Sequence, residues 1–139
     1  MKRIGNASGF TLIEIMVVVF ILGLLVTLVA PKIIGRTDEA RRVKAAADIK
    51  GTVEALHLFK LDNGFYPSTG EGLNALVQRG ANAKNFNPDG YMDSVPTDPW
   101  GNHYQYFSDG NDFMVKSYGA DGQEGGEGKN ADISSRDLN

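Results

Sequence analysis

Hydrophobic and polar positions change rhythm along the chain. From Phe10 to Pro31 the sequence is a nearly unbroken apolar run in which Glu14 is the sole charge. At about 1.5 Å per residue that segment spans roughly 33 Å as a helix, enough for the hydrocarbon core of a bilayer. Pro31 removes one backbone donor and Gly23 weakens the helix upstream, so a kink or an unwound stretch is expected between them, with Thr37, Asp38 and Glu39 capping a restart. From Ala40 to Leu61 the pattern becomes amphipathic. Val43, Ala46, Ala47, Ile49, Val53, Leu56 and Phe59 recur at helical spacing, and Arg41, Arg42, Lys44, Asp48, Lys50 and Glu54 fill other positions as a solvated face. Asp62-Asn63-Gly64 stops this helix, and Tyr66-Pro67 begins an irregular connection.

Beyond Ser68 the periodicity shortens. Leu73, Leu76 and Val77 predict a short second helix over Gly72 to Gln78, while Asn82 to Pro99, rich in Asn, Asp, Gly and Pro, predicts loop. His103 to Phe107 and Asp112 to Tyr118 are β-prone runs on either side of Ser108-Asp109-Gly110-Asn111, the pattern of a hairpin. The expected fold class is α+β: a long N-terminal helix, apolar in its first half and amphipathic in its second, packed on a small antiparallel sheet with a loop-rich C-terminal region.

Composition narrows the function classes. With 139 residues, removing the apolar segment leaves a single small domain. The net charge of −3 argues against nucleic acid as a ligand, and loss of Lys2 and Arg3 with a leader makes the balance more acidic still. Cysteine is absent, so no disulfide staples a core this small, and another staple is expected. Lys2 and Arg3 also predict a cytoplasmic N-terminus with the rest of the chain across the membrane.

The N-terminal order is unlike a secretory signal, which is cut after its apolar region. Here the short basic leader ends at Gly9 and the apolar run follows, so cleavage at Gly9-Phe10 leaves the hydrophobic segment on the mature protein. Gly9 to Val18, G-F-T-L-I-E-I-M-V-V, resembles the prepilin leader junction of the type IV pilin superfamily. That resemblance implies a prepilin peptidase that cuts between Gly9 and Phe10 and N-methylates Phe10. It also implies that Glu14, otherwise an unpaired acid in an apolar bundle, pairs with the new Phe10 amine of an adjacent subunit. The plain alternative leaves Glu14 at the interface of a single-pass anchor.

The soluble half carries a second resemblance. Leu61-Asp62-Asn63-Gly64-Phe65-Tyr66-Pro67, Glu71-Gly72-Leu73, Gly90-Tyr91, Pro96-x-Asp98-Pro99-Trp100-Gly101-Asn102-x-Tyr104-x-Tyr106 and Ser117-x-Gly119-Ala120-Asp121-Gly122 together resemble the major pseudopilins of the bacterial type II secretion system. His57, Phe59 and a tail without tryptophan after Ile133 depart from that pattern. The family implies a leader over 1–9, a transmembrane and filament-core helix over 10–31, and a periplasmic domain over 32–139. It further implies a homo-oligomeric helical filament anchored at the inner membrane, with minor pseudopilins, an inner-membrane assembly platform and secreted exoproteins as partners, and no enzymatic activity.

Tyr118 to Asp132 gathers Asp121, Glu124, Glu127 and Asp132 in a glycine-rich loop without an EF-hand register. By composition this is equally a calcium site and an acidic surface turn. The resemblance implies calcium, with Asp121 and Asp132 as side-chain ligands, carbonyls near Tyr118 and Gln123 completing the shell, and Glu124 and Glu127 facing solvent. Other chemistry is poorly supported. His57 and His103 lack the spacing of metal ligands, Ser117 has no nucleophile elbow, and Trp100 in its Pro-Trp-Gly-Asn turn is expected to pack under the sheet. An adhesive or DNA-uptake pilin and a membrane-anchored enzyme are the two competing classes.

Overall fold

A single helix, α1, runs over Leu12–Asn63 in the computed structural model, which describes residues 8–138. Lys2 and Arg3, on which the predicted topology rests, lie outside the described residues. The expected restart at Thr37 to Glu39 does not occur, because these residues sit within α1. Pro31 removes one intrahelical bond. Ending and restarting the helix would instead strand several N–H and C=O groups beside an apolar stretch with nothing to receive them.

The chain divides into two units, Met1–Thr37 and Asp38–Asn139. In the first, Leu12–Val29 is long and apolar enough to cross a membrane, and its side chains are exposed. In the second, α1 supplies one wall of the core through Ala45, Ile49, Thr52, Ala55, Leu56 and Phe59. Ile49, Leu56 and Phe59 were expected there. Val43 is 62% exposed and Ala47 is also exposed, because Val43 lies about 200° round the helix from Ala45, and Ala47 about 200° from both Ala45 and Ile49. Thr52, fully buried, satisfies its hydroxyl by donating to the Asp48 carbonyl at 2.9 Å.

The opposite wall is a three-stranded antiparallel sheet in the order β1 (Gln105–Ser108), β2 (Phe113–Ser117), β3 (Ile133–Ser134). The first two strands are the predicted hairpin, paired Tyr106 to Val115 and Ser108 to Phe113. Tyr104, Tyr106, Val115 and Ile133 meet the helix, with Leu73, Leu76 and Ala83 closing one side. Trp100 packs partly buried against this core as expected, although its indole Nε1 is buried without a hydrogen-bond partner.

Two tyrosines tie the sheet side to α1 and to the connection that follows it. Tyr104 donates to Asp48 Oδ2 on α1 at 2.9 Å, and Tyr106 donates to the Pro67 carbonyl at 2.6 Å. Burial pushes the Tyr106 phenol up to about 12 and raises Tyr104 further, with Asp48 adding to the second shift, so both hydroxyls remain donors at neutral pH.

The predicted second helix is a 3₁₀ turn, Leu73–Leu76. Gly72 has φ +64°, outside the helical region, and the Leu76 carbonyl is taken by the Tyr91 and Met92 amides at 2.8 and 3.2 Å. Both ends are thereby diverted, and the helix cannot lengthen.

Candidate functional site

Residues 8 to 11 precede the helix in non-helical backbone, with Gly9 exposed and Phe10 80% exposed. Gly9 has no φ in the left-handed region, and a Cβ built on it meets nothing within 4 Å. Among the described residues nothing requires glycine at this position.

Thr11 and Glu14 form a reciprocal capping box at the start of α1. The Glu14 amide donates to Thr11 Oγ1 at 3.3 Å, and the Thr11 amide donates to Glu14 Oε2 at 3.5 Å. Two otherwise orphaned amides are met in this way, and the acid also complements the positive end of the helix dipole. The Thr-x-x-Glu spacing was present in the sequence and could have been read as such.

The C-terminal loop is closed by strand pairing. β2 and β3 place Ser117 opposite Ile133 and Lys116 opposite Ser134. The Ala120 amide continues the approach by donating to the Lys129 carbonyl at 3.0 Å. Gly119, at φ +75°, permits it: a Cβ there would lie 2.8 Å from the Asn130 carbonyl carbon and oxygen. The stretches carrying Asp121 and Asp132 thus run alongside each other. Arg42 on α1 anchors the return by donating to the Ala131 carbonyl at 2.7 Å.

Asp132 has a side chain only 19% exposed; its Oδ1 accepts from the Gly125 amide at 3.0 Å, and its Oδ2 pairs with Lys116 Nζ at 3.2 Å. The same ammonium reaches Glu124 Oε1 at 3.0 Å, and these partners, Glu124 foremost, raise the Lys116 pKa. Glu124 and Glu127 are exposed, as expected, with Glu124 adding this ion pair. Asp121 is exposed and accepts from the Gln123 amide at 3.1 Å; Gln123 is exposed and Tyr118 half-buried. Among the described residues no three His, Cys, Asp or Glu side chains converge on one point, so a metal held here would draw on backbone carbonyls. A donor set of two carboxylates and carbonyls, with no nitrogen or sulfur, suits a hard, adaptable cation such as calcium and does not suit zinc.

Sequence reasoning missed the buried carboxylate next to this loop. Asp98 is 4% exposed, and its Oδ1 accepts from the amides of Trp100 at 3.1 Å and Asn102 at 2.8 Å. Its Oδ2 accepts from the buried Ser117 hydroxyl at 2.9 Å. The Asp-Pro-x-Gly-Asn spacing carried the signal, since an Asp side chain that caps its own turn is a standard use of the residue. Ser117 is engaged in this network, and among the described residues no hydrogen bond joins it to a histidine. His57 instead contacts the Tyr66 hydroxyl at 3.0 Å.

Comparison with known proteins adds independent weight. Residues 32–136 match the family described as type II secretion system (T2SS), protein G, and residues 4–30 match the prokaryotic N-terminal methylation motif. The chain is 52% identical over 135 residues to a type II secretion system core protein G of Pseudomonas aeruginosa, covering 94% of this chain and 95% of that one. It is 47% identical over 137 residues to the protein of the same name from Vibrio cholerae, covering 96% and 94%. The crystal structure of the major pseudopilin from the type 2 secretion system of enterohaemorrhagic Escherichia coli superposes with a TM-score of 0.66 at 35% identity, covering 76% of this chain and 90% of that chain. The two family matches together take in residues 4–30 and 32–136, and with the relatives and the helix-on-sheet likeness the chain belongs to the type II secretion system protein G family, the major pseudopilins.

Proposed function

We propose that the chain is the principal structural subunit of a type II secretion pseudopilus, a periplasmic filament whose assembly from the inner membrane drives export of folded proteins. One observation carries the reading: a helix segment with exposed apolar side chains, Leu12–Val29, is attached to a domain whose core is already complete. Such a segment needs a bilayer before assembly and neighbouring helices after it. The same segment supports anchoring in a membrane, which we take to be the inner membrane, with the domain on the periplasmic side as Lys2 and Arg3 predict. The filament would be helical and homo-oligomeric, with minor pseudopilins, an inner-membrane platform, prepilin peptidase and secreted exoproteins as its contacts. A deletion strain complemented with the wild-type gene will secrete its exoproteins and, on overexpression, form filaments visible by electron microscopy. Secretion that is normal in the deletion strain overturns the proposal.

Processing at Gly9-Phe10 is supported by the exposed, non-helical junction and by the lack of any need for Gly9 among the described residues. Mass spectrometry of assembled protein is expected to find an N-terminus at Phe10 bearing one methyl group, and Gly9→Val to leave the leader attached. Assembled protein that still begins at Met1 sinks this step.

Glu14 has two duties in this reading. It caps its own helix, and in the filament it neutralises the Phe10 amine of a neighbour. Glu14→Gln keeps an acceptor for the capping box and removes the charge, whereas Glu14→Ala removes both. Loss of a cap costs about 1 kcal/mol, but stranding a buried ammonium costs about 3 to 5 kcal/mol. Both variants are therefore expected to insert in the membrane and fail to assemble; filaments from Glu14→Gln alone would reduce the role of Glu14 to capping.

The glycine-rich loop is read as a calcium site, with Asp121 and Asp132 supplying carboxylates and Tyr118 and Gln123 carbonyls. The support is the donor chemistry and the pairing that lays 118–121 along 129–132. When bound, the ion would add positive charge to a loop whose four acids, Asp121, Glu124, Glu127 and Asp132, outnumber its one lysine, Lys129. The residues' own part is to hold the two stretches in register.

A further inference from the structure

The 98–102 turn touches the C-terminal loop at two places. At the first, Ser117 Oγ donates to Asp98 Oδ2 at 2.9 Å and accepts from the Gly119 amide at 3.2 Å, with Ser117 fully buried and Asp98 nearly so. At the second, a Cβ on Gly122 would lie 3.1 Å from Asn102 Nδ2, so the Asn102 side chain rests against the loop backbone just after Asp121. Asn102 is itself fixed to Asp98 through its amide at 2.8 Å. One buried carboxylate therefore governs both contacts.

The first contact has a directional consequence. The described chain contains no cis peptide bond, and in a trans peptide the N–H and the preceding C=O lie in one plane and point in opposite directions. Holding the Gly119 amide on Ser117 Oγ therefore sets the direction of the Tyr118 carbonyl, turned away from the Asp98–Ser117 pair. A free glycine-rich segment would sample many orientations of that peptide; this one is restricted to one.

We propose that Asp98 and Ser117 are positioning residues for cation binding, orienting the Tyr118 carbonyl through the Gly119 amide so that calcium affinity depends on the buried turn as well as on the acidic loop. This rests on the calcium reading of the loop given above. Neither residue touches the ion; they act as outer-shell partners do, by fixing a ligand before it is needed. The loop thereby draws its order from the core, through β2, and not from its own sparse apolar content.

The test uses the purified full-length chain in detergent, stripped with chelator and titrated with calcium chloride by calorimetry, alongside thermal unfolding with and without the ion. Ser117→Ala removes the hydroxyl, Ser117→Thr restores one, and Asp98→Asn keeps an acceptor for the Trp100 and Asn102 amides while changing the group that faces Ser117. Calcium binding is expected to weaken about tenfold in Ser117→Ala and to recover in Ser117→Thr. The rise in melting temperature on adding calcium will shrink in Ser117→Ala, whereas a purely structural role would lower the melting temperature equally in both conditions. Exchange of the Gly119 amide, followed without calcium, will quicken in Ser117→Ala. If wild type binds calcium and both Ser117→Ala and Asp98→Asn match its affinity within about twofold, the positioning role is overturned while the calcium site stands. If wild type gives neither heat nor a shift in melting, the calcium reading fails and this proposal falls with it.

Discussion

Asp98→Ala is expected to lower the stability of the domain by about 3 kcal/mol. The carboxylate accepts from the Trp100 amide, the Asn102 amide and the Ser117 hydroxyl, and it is 4% exposed, so water does not readily replace it. Each buried donor left without an acceptor costs roughly 1 to 3 kcal/mol. Against a total of about 5 to 15 kcal/mol for a domain, that is a substantial fraction, and it corresponds to a fall of roughly 10 °C or more in melting temperature. Thermal and urea unfolding of the full-length chain in detergent, monitored by circular dichroism in chelator, measure it without involving any ion. A melting temperature within a degree or two of wild type would mean that solvent reaches the turn and that the network is incidental.

The elements that were legible in the sequence are those whose signal is repeated. The amphipathic half of α1 announces itself over five turns, and the hairpin by two β-prone runs around Asp109-Gly110. The misses come from single residues or from distant pairing. Pro31 looks like a break because proline usually is one, yet one lost hydrogen bond does not outweigh the many that remain. β3 has two residues and exists because Ile133 and Ser134 find Ser117 and Lys116, a fact no local pattern carries. Val43 and Ala47 are apolar and near the right spacing, but helix phase is set by the line Ala45, Ile49, Thr52, Leu56, Phe59, and a polar Thr52 in that line hides it from a count of apolar residues.

The processing junction was the easier part of the functional reading, because it lies in a contiguous stretch. The loop was harder. Its acids could be counted, but what holds them is Arg42 from α1, Lys116 from β2 and Asp98 from a turn earlier in the chain. Lys116 in particular changes the electrostatics, since it already offsets part of the charge of Glu124 and Asp132. Asp121 has no such cation among its described partners, and its carboxylate accepts only from the Gln123 amide.

Removal of calcium is accordingly expected to lower the melting temperature of the wild-type chain. With free ion at about 100 times its dissociation constant, binding to the folded state alone adds about 2.7 kcal/mol, which for a domain near 100 residues is roughly 10 to 15 °C. Magnesium at the same concentration is not expected to substitute, because it demands a tight octahedral shell and gives up water reluctantly, whereas this loop offers two carboxylates and backbone carbonyls in an irregular turn. Asp121→Ala and Asp132→Ala are each expected to abolish the calcium-dependent rise, but their behaviour in chelator will differ. Asp121 makes one local hydrogen bond at an exposed position, so its loss leaves the ion-free protein nearly as stable as wild type. Asp132 also receives the Gly125 amide and balances Lys116, whose side chain is 13% exposed, so its loss destabilises the ion-free protein as well. Secretion is expected to fall in both variants, with the leader and apolar helix untouched. A wild-type chain that melts at the same temperature in chelator and in millimolar calcium would return the loop to an acidic surface turn held by Lys116, Arg42 and the Asp98 turn without an ion.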